Sequence, residues 1–154
     1  QNEQDGAEDL QHSKRLIVPR ELRQGEAAEI LLAEDNLTNQ VIFSTYLKKR
    51  GYKVTIANDG QQAVDLAKEQ IPDVILMDMQ MPYKDGIQAM QELRAYRHTK
   101  HIPMIALTGM ANDEDRDLCL RSGADHFVTK PVDLANLATL IEGCLEPVEA
   151  ALIA

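Results

Sequence analysis

The sequence contains no tryptophan and few other aromatic residues: four tyrosines and two phenylalanines make up 4% of its 154 residues. A bound flavin usually stacks on aromatic rings, so a flavin-dependent electron carrier would find few partners here. Cysteine is also scarce. Cys119 and Cys144 lie far apart, without a second pair or a His-x-x-x-His nearby, which excludes the common metal motifs. Their apolar neighbours predict that both are small core residues on helices.

Long apolar runs and an excess of positive charge are absent as well. No apolar run approaches the ~20 residues that cross a bilayer, and the first stretch, Gln1 to Leu10, is too polar and acidic for a signal peptide. With 16 basic and 25 acidic residues, the formal net charge is -9. Such a surface repels nucleic-acid phosphates and anionic lipids. We therefore predict a cytoplasmic protein with no direct nucleic-acid or membrane contact.

The beginning of the chain differs from the rest. Residues 1–27 are rich in amides and acids and are predicted to be a polar linker or tail. Residues 28–147 carry a regular pattern and are predicted to form one domain, followed by a C-terminal tail over residues 148–154. The chain opens with Gln rather than Met, which indicates a piece of a longer protein.

Five short apolar runs alternate with stretches of helical period, a pattern typical of an α/β fold with a parallel sheet covered on both faces. The runs predicted as strands are residues 30–33, 54–57, 74–77, 104–107 and 127–128. The continuous apolar run 74–77 indicates a strand buried on both sides. Right-handed crossovers restrict the strand order without fixing it, and the doubly wound flavodoxin-like order 2-1-3-4-5 suits this pattern.

Caps and stop signals give the helix boundaries. We predict a first helix after Asn36 that ends near Gly51. Its inward apolar stripe would consist of Val41, Ile42 and Leu47 with Tyr46. The four later helices are predicted to begin near Asp59, Gly86, Asn112 or Asp113, and Asp133.

Chemically active side chains follow four of the predicted strands. Glu34-Asp35 follows the first strand, Asp78 the third, Thr108 the fourth and Lys130 the fifth. In a doubly wound sheet, ligands bind at the carboxyl ends of the strands, where the strand order reverses. We therefore expect three carboxylates, one hydroxyl and one ammonium to converge in a small concavity.

These residue types suit phosphoryl transfer. Neighbouring carboxylates repel one another by about 1 kcal/mol per pair in water and by several times that near a protein surface, so a cation must offset them. All-oxygen ligands suit Mg²⁺. Lys130 and the Thr108 hydroxyl could each meet a phosphoryl oxygen. The set predicts a magnesium-dependent phosphoryl transfer with Asp78 as nucleophile.

The strings ILLAEDN, DVILMDMQMPYKDG, ALTG and FVTKP, in this order, resemble the receiver domains of two-component response regulators. The resemblance covers roughly residues 28 to 146. It implies a receiver that accepts a phosphoryl group from a phosphohistidine onto Asp78 and then changes conformation to control an output partner. Such a receiver would catalyse its own phosphorylation and dephosphorylation.

The resemblance also implies a set of metal ligands. Asp35, Asp78 and the backbone carbonyl of Gln80 would bind Mg²⁺ directly, and Glu34 would act mainly through coordinated water. Glu34 stands where Asp is commoner in the family, and its longer side chain is expected to alter metal affinity.

A second set of residues is implied for the switch. Thr108 and Lys130 would hold the phosphoryl oxygens, and Phe127 would be the aromatic residue that changes rotamer on activation. Phe127 stands where Tyr is frequent, so this switch would depend on packing alone. The Lys130–Pro131 bond is expected to be cis, as X-Pro bonds allow at low cost.

The strings AEDNLTNQ and MDMQMP look most like receivers fused to hybrid sensor histidine kinases. The leading tail would then come from the kinase core, and the domain would be the cytoplasmic part of a membrane-bound hybrid kinase; a free-standing regulator is the alternative. The implied partners are a histidine kinase or a histidine phosphotransfer domain. An output domain or a second copy would use the face formed by the fourth helix, fifth strand and fifth helix.

Other functions leave different signatures. A degenerate receiver used only for docking would lack the acceptor or the lysine, and both are present. An aspartyl-phosphate hydrolase needs a second acid two residues after its nucleophile, where Gln80 stands. A flavodoxin-like carrier would place a flavin phosphate beside Glu34, Asp35 and Asn36, where the two carboxylates would repel it. No chemical role is predicted for the four histidines, which are His12, His98, His101 and His126.

Overall fold

The computed structural model describes residues 25–81, 84–109 and 112–146. Apart from residues 25–27, the predicted linker and the C-terminal tail lie outside these ranges. Within them, no helix combines the length and the apolar character that a membrane span requires. Strands and helices alternate as β1 Glu29–Ala33, α1 Leu37–Lys49, β2 Lys53–Ala57, α2 Gly60–Gln70, β3 Val74–Asp78, α3 Gly86–Ala95, β4 Met104–Thr108, α4 Asp113–Arg121, β5 His126–Thr129 and α5 Leu134–Cys144.

The five strands form one parallel sheet in the order β2-β1-β3-β4-β5, which confirms the predicted topology. β3 lies in the middle, and all five of its residues are buried. Alternate β3 side chains pack on opposite faces: Ile75 and Met77 in one apolar cluster, Val74 and Leu76 in the other. Burial on both faces explains why this strand is apolar almost throughout.

Side-chain caps fix where the helices begin. The side chains of Asn36, Asp59, Asn112 and Asp133 each accept hydrogen bonds from backbone N–H groups in the first turns of α1, α2, α4 and α5. α3 begins with a capping box, in which Asp85 is the cap and Gln88 closes it. The predicted starts are therefore confirmed, and Asn112 is the cap of α4 rather than Asp113.

The predicted inward stripe of α1 is wrong at two positions. Val41 and Ile42 are 64% and 46% exposed. The buried residues of α1 are Gln40, Phe43, Ser44 and Leu47, which follow the helical i, i+3, i+4, i+7 spacing. Two of the four are polar, so an apolar stripe selects the wrong face. The buried Gln40 amide is hydrogen-bonded, which removes the cost of burying it.

Arg94, near the end of α3, connects the loops that lead into β4 and β5. Its guanidinium donates hydrogen bonds to the carbonyl oxygens of Lys100, Ile102 and Gly123 at 2.7 to 2.9 Å. It also forms an ion pair with Asp125 at 2.9 Å. Arginine has five donors in a rigid fork, which suits simultaneous contact with several carbonyls, whereas lysine has three on a single nitrogen. One side chain therefore connects the loops that precede β4 and β5 at the amino-terminal edge of the sheet.

Candidate functional site

The predicted site residues lie at the carboxyl-terminal edge of the sheet. β1 ends at Ala33, directly before Glu34 and Asp35, while β3 ends at Asp78. Parallel pairing aligns Ala33 with Met77, so the two acidic strand ends are adjacent. Thr108 ends β4 and pairs with Thr129, directly before Lys130. The fold thus brings the four strand ends together.

Three carboxylates meet at this edge. One carboxylate oxygen from each of Glu34, Asp35 and Asp78 lies within 4.8 Å of the others. Glu34 and Asp78 are almost fully buried, at 0% and 2% exposure, whereas Asp35 is exposed. Two buried acids and one exposed acid thus form an acidic cluster whose exposed member is Asp35.

Lys130, which directly follows β5, reaches this acidic cluster. Its Nζ lies 3.1 Å from Oδ2 of Asp78 and 3.2 Å from Oε1 of Glu34. The lysine side chain is 27% exposed, so its ammonium is only partly hydrated. One ammonium therefore bridges the two buried carboxylates.

Burial and the neighbouring charges shift the pKa values of Glu34 and Lys130. Burial, above all, raises the pKa of Glu34, and the charge of Asp78 adds to the effect; the amide of Asn36 and the charge of Lys130 oppose it. For Lys130, burial lowers the pKa, but hydrogen bonds and charges from Asp78 and Glu34 outweigh burial and leave the pKa raised. The lysine is thus held in its charged form by the acids around it.

The Glu34 backbone is fixed by residues that the sequence analysis did not single out. The Gln40 side-chain amide donates to the Glu34 carbonyl at 2.6 Å and to Oδ1 of Asn58 at 2.7 Å. The Glu34 carboxylate accepts from the Asn36 amide at 3.1 Å. Gln40 lies three and seven residues before the buried apolar residues Phe43 and Leu47, so its helical spacing from them was the signal that could have identified it.

Asp78 is held by the chain that follows it. The Gln80 amide donates to Oδ1 of Asp78 at 3.0 Å, and the Met79 amide donates to the carbonyl of Leu107 at 2.9 Å. A Cβ atom on Gly86 would lie 2.5 Å from the Asp78 carbonyl oxygen. Glycine is therefore required where α3 begins against the end of β3, a role that the sequence alone did not indicate.

Thr108 is buried, with 4% exposure, and its carbonyl accepts from the Lys130 amide at 2.7 Å. It borders a small cavity of about 140 Å³ that also touches Gln80 and the α4 residues Asp115 and Cys119. Unfilled space therefore lies beside the hydroxyl residue of the site.

Phe127 is half-buried on β5 and packs against the cluster that contains Ala106. The guanidinium carbon of Arg116 on α4 lies 4.9 Å from the centre of the Phe127 ring. The Lys130–Pro131 peptide bond is cis, as the resemblance to receiver domains implies.

The donor set fits a hard divalent cation. Three carboxyl groups supply oxygen ligands, and Lys130 is the cationic group in contact with two of them. Oxygen-only ligands at an open, partly hydrated site suit Mg²⁺, which keeps several waters. Glu34, Asp35 and Asp78 are the residues that could hold it; the part played by the Gln80 carbonyl stays a prediction.

The cysteines and histidines lie elsewhere. Cys119 is buried in α4 and Cys144 is half-buried at the end of α5, in accordance with packing roles. His98 and His101 precede β4 and His126 begins β5, so these three belong to the edge opposite Asp78. His12 lies outside the described residues.

Comparisons with known proteins agree with this geometry. The sequence model of the response regulator receiver domain family matches residues 30–142. Hybrid signal transduction histidine kinase I of Dictyostelium discoideum is 43% identical over 112 residues, which cover 68% of this chain but only 6% of that protein.

Two solved structures are similar in sequence and in fold. One is the receiver domain of a sensor histidine kinase from Pseudomonas aeruginosa PAO1, with a magnesium ion coordinated in its active site cleft; it is 40% identical with a TM-score of 0.74, covering 78% of this chain and 98% of that one. The other is the receiver domain of the Saccharomyces cerevisiae response regulator Ssk1, solved with the histidine phosphotransfer protein Ypd1; it is 31% identical with a TM-score of 0.70, covering 75% and 86%. The family match, the sheet order and the acidic edge agree, and the chain belongs to the response regulator receiver domains of two-component signalling.

Proposed function

We propose that this domain accepts a phosphoryl group from a phosphohistidine onto Asp78, with Mg²⁺ held by Glu34, Asp35 and Asp78. The observation that carries the proposal is the bridge from Lys130 to two buried carboxylates beside an exposed third. The carboxyl-terminal edge of the sheet is where ligands bind, and Lys130 there can offset the negative charge of an incoming phosphoryl group beside the buried acids. The proposed domain spans residues 28–147, between a linker and a short tail.

In the proposed reaction, a carboxylate oxygen of Asp78 forms a bond to phosphorus while the phosphorus–nitrogen bond of the donor breaks. The bonding electron pair leaves with the donor imidazole. The hydrogen bond from the Gln80 amide holds Oδ1 of Asp78 in place. Lys130, already 3.1 Å from Oδ2, would follow the phosphoryl oxygens, and Thr108 would donate its hydroxyl to another of them. The bound cation would neutralise charge on the transferred group.

A degenerate docking module and a phosphate-ester hydrolase are less well supported. The docking module has no use for a lysine that bridges buried acids. The hydrolase needs an acid in the place of Gln80, whose side chain cannot protonate a leaving group. Asp78 therefore serves better as an acceptor than as a turnover catalyst.

The proposed donor docks on α1. Leu37, Val41 and Ile42 are exposed by 73%, 64% and 46%, and together they are called the α1 apolar patch. The patch begins two residues after Asp35, so a protein bound to it would reach the acidic cluster of Glu34, Asp35 and Asp78. Exposed apolar groups at the mouth of a site mark a protein-binding surface. Since a related receiver was solved with a histidine phosphotransfer protein, we assign the patch to a helix that carries the phosphohistidine.

The parent protein is proposed to be a hybrid histidine kinase of the cytoplasm or of the cytoplasmic side of a membrane. The support is the 43% identity with a hybrid kinase of which this chain spans 6%. After phosphorylation, Thr108 and Phe127 would rearrange the face formed by α4, β5 and α5, where an output domain or a second copy would bind.

Phosphate incorporation tests the acceptor. Wild type, incubated with acetyl phosphate and Mg²⁺, should gain one phosphoryl group by intact-mass spectrometry and phosphate-affinity electrophoresis. Asp78→Asn should gain none, because the nucleophilic carboxylate is lost. Asp117→Asn, an exposed acid of α4, is the matched control and should behave as wild type. Incorporation that persists in Asp78→Asn would refute the assignment.

A further inference from the structure

Arg116 and Phe127 join α4 to β5 through a cation–π contact. The guanidinium carbon lies 4.9 Å from the ring centre, inside the ~6 Å range at which a cation is attracted to an aromatic face. Arg116 is exposed and Phe127 is half-buried, so the guanidinium covers the outer face of a ring that packs against the core.

The strand register places this ring beside the site. Phe127 pairs with Ala106 on β4, and Thr108 follows Ala106 by two residues. Residues two apart on a strand face the same side of the sheet, so Phe127 is a diagonal neighbour of Thr108 on the α4 side. Any movement of Phe127 therefore affects both Thr108 and the contact with Arg116.

α4 has few other attachments to the core. It buries only Cys119 among its described residues, whereas each of the other four helices buries three or four. Leu118 and Leu120 of α4 are 43% and 41% exposed. The cavity of about 140 Å³ beside Thr108 lies partly under this helix. A weakly anchored element is the one whose position a single side-chain contact can decide.

We propose that Arg116 is a positioning residue for the conformational switch, because its stacking on Phe127 holds α4 against β5 and opposes the phosphorylated conformation. This inference rests on the proposed function, in which Asp78 is the acceptor and Phe127 moves. When Phe127 turns, the guanidinium loses the ring face, so phosphorylation must break the contact. Removal of the guanidinium shifts the equilibrium toward the phosphorylated conformation.

Fluorine NMR can follow the ring directly. The sequence has two phenylalanines, Phe43 and Phe127, so 4-fluorophenylalanine gives two resonances, and Phe43→Leu assigns them. The probe for the phosphorylated state is beryllofluoride with Mg²⁺. In Arg116→Gln, the Phe127 resonance should shift before beryllofluoride is added, and beryllofluoride should bind about two- to fivefold more tightly than to wild type.

Two further variants separate this effect from general damage. Arg116→Lys keeps a cation and should recover part of the wild-type affinity, since lysine also stacks on aromatic faces. Arg121→Gln removes a charge from the same helix and should leave both the Phe127 resonance and the affinity unchanged.

The outcomes distinguish the two proposals. If Arg116→Gln and wild type give the same Phe127 resonance or the same beryllofluoride affinity, the role of Arg116 is refuted while the acceptor stands. If Arg121→Gln tightens binding as much as Arg116→Gln, the effect is one of charge and the role is also refuted. If wild type does not bind beryllofluoride, the proposed acceptor fails, and the switch role of Arg116 fails with it.

Discussion

Lys130 and Glu34 lie 96 residues apart in the chain, yet the lysine Nζ is 3.2 Å from the glutamate Oε1. Glu34 directly follows β1 and Lys130 directly follows β5, and these two strands lie on opposite sides of β3. Because Lys130 contacts Asp78 at the same time, one ammonium offsets the repulsion between two buried carboxylates. We therefore expect the stability of the domain and the reactivity of the proposed acceptor Asp78 to depend on the same side chain.

Replacement of this lysine should expose the repulsion. In the presence of a chelator, Lys130→Met should lower the free energy of unfolding by about 2 kcal/mol, because two buried carboxylates lose their cation. Saturating Mg²⁺ should restore part of the loss. Urea unfolding with and without Mg²⁺ measures both, with the exposed Lys49→Met as control. Equal losses in the two conditions would show that Mg²⁺ and Lys130 do not act on the same carboxylates.

Asp35 should matter for the metal but not for the apo fold. Asp35→Asn removes an exposed charge from the acidic cluster, so its free energy of unfolding in chelator should equal or slightly exceed that of wild type. Its Mg²⁺ affinity should fall at least about tenfold, because a hard cation loses a charged ligand. Thermal shifts measured against Mg²⁺ concentration test this. An undiminished shift in Asp35→Asn would remove this residue from the metal site.

The α1 apolar patch should affect transfer from a protein donor only. Val41→Glu places a charge on the patch and should slow transfer from a histidine phosphotransfer protein about tenfold or more. Phosphorylation by acetyl phosphate should be unchanged, since a small donor needs no docking surface. Leu120→Glu, an exposed leucine of α4, is the matched control. Equal rates for both variants with the protein donor would mean that docking occurs elsewhere.

The two thiols should reduce stability at alkaline pH. Burial first, and then the charge of Asp115, raises the pKa of Cys119 from its ordinary value of 9.0; burial and then Asp125 raise the pKa of Cys144. The thiols ionise at lower pH in the unfolded state than in the folded state. Their contribution to the free energy of unfolding is therefore fully present below about pH 9 and is lost as the pH rises further. Wild type should lose up to about 1.4 kcal/mol per thiol per pH unit relative to Cys119→Ala/Cys144→Ala. Urea unfolding across this range measures the difference, and parallel curves would contradict the prediction.

Two arginines should differ in their energetic importance although both form ion pairs. Arg94→Met should lower the free energy of unfolding by about 3 kcal/mol, because carbonyls in the loops before β4 and β5 lose their donor. Arg50→Met should lower the free energy of unfolding much less, since its pair with Glu142 is exposed to solvent. Chemical denaturation of both variants provides the comparison, and similar losses would contradict this account of Arg94.

Much of the fold and the site could be predicted from the sequence because both depend on strand ends. Apolar runs marked the strands, and the polar residues directly after them marked the edge where Glu34, Asp78 and Lys130 meet. This inference needs only parallel strands whose carboxyl ends share an edge. The distances between the side chains follow from packing and could not be predicted.

The errors and omissions concern contacts that a pattern of apolar residues does not show. Gln40 and Ser44 are buried because hydrogen bonds satisfy them, and such pairing is invisible to an apolar pattern. Gly86 is required because the start of α3 lies against the backbone of Asp78 and Met79, a contact that appears only once the chain has folded. In the sequence, Arg116 lies within an acidic run and resembles an ordinary solvated charge. Only the structure shows that it stacks on Phe127.

The hydrogen bonds of Arg94 restrict one end of the sheet and leave the other end free of this restraint. Arg94 fixes the loops before β4 and β5, whereas Thr108 and Lys130 lie at the carboxyl-terminal ends of the same two strands. The proposed rearrangement around Asp78 would therefore be confined to the carboxyl-terminal ends of these strands, while the loops at their amino-terminal ends keep their positions.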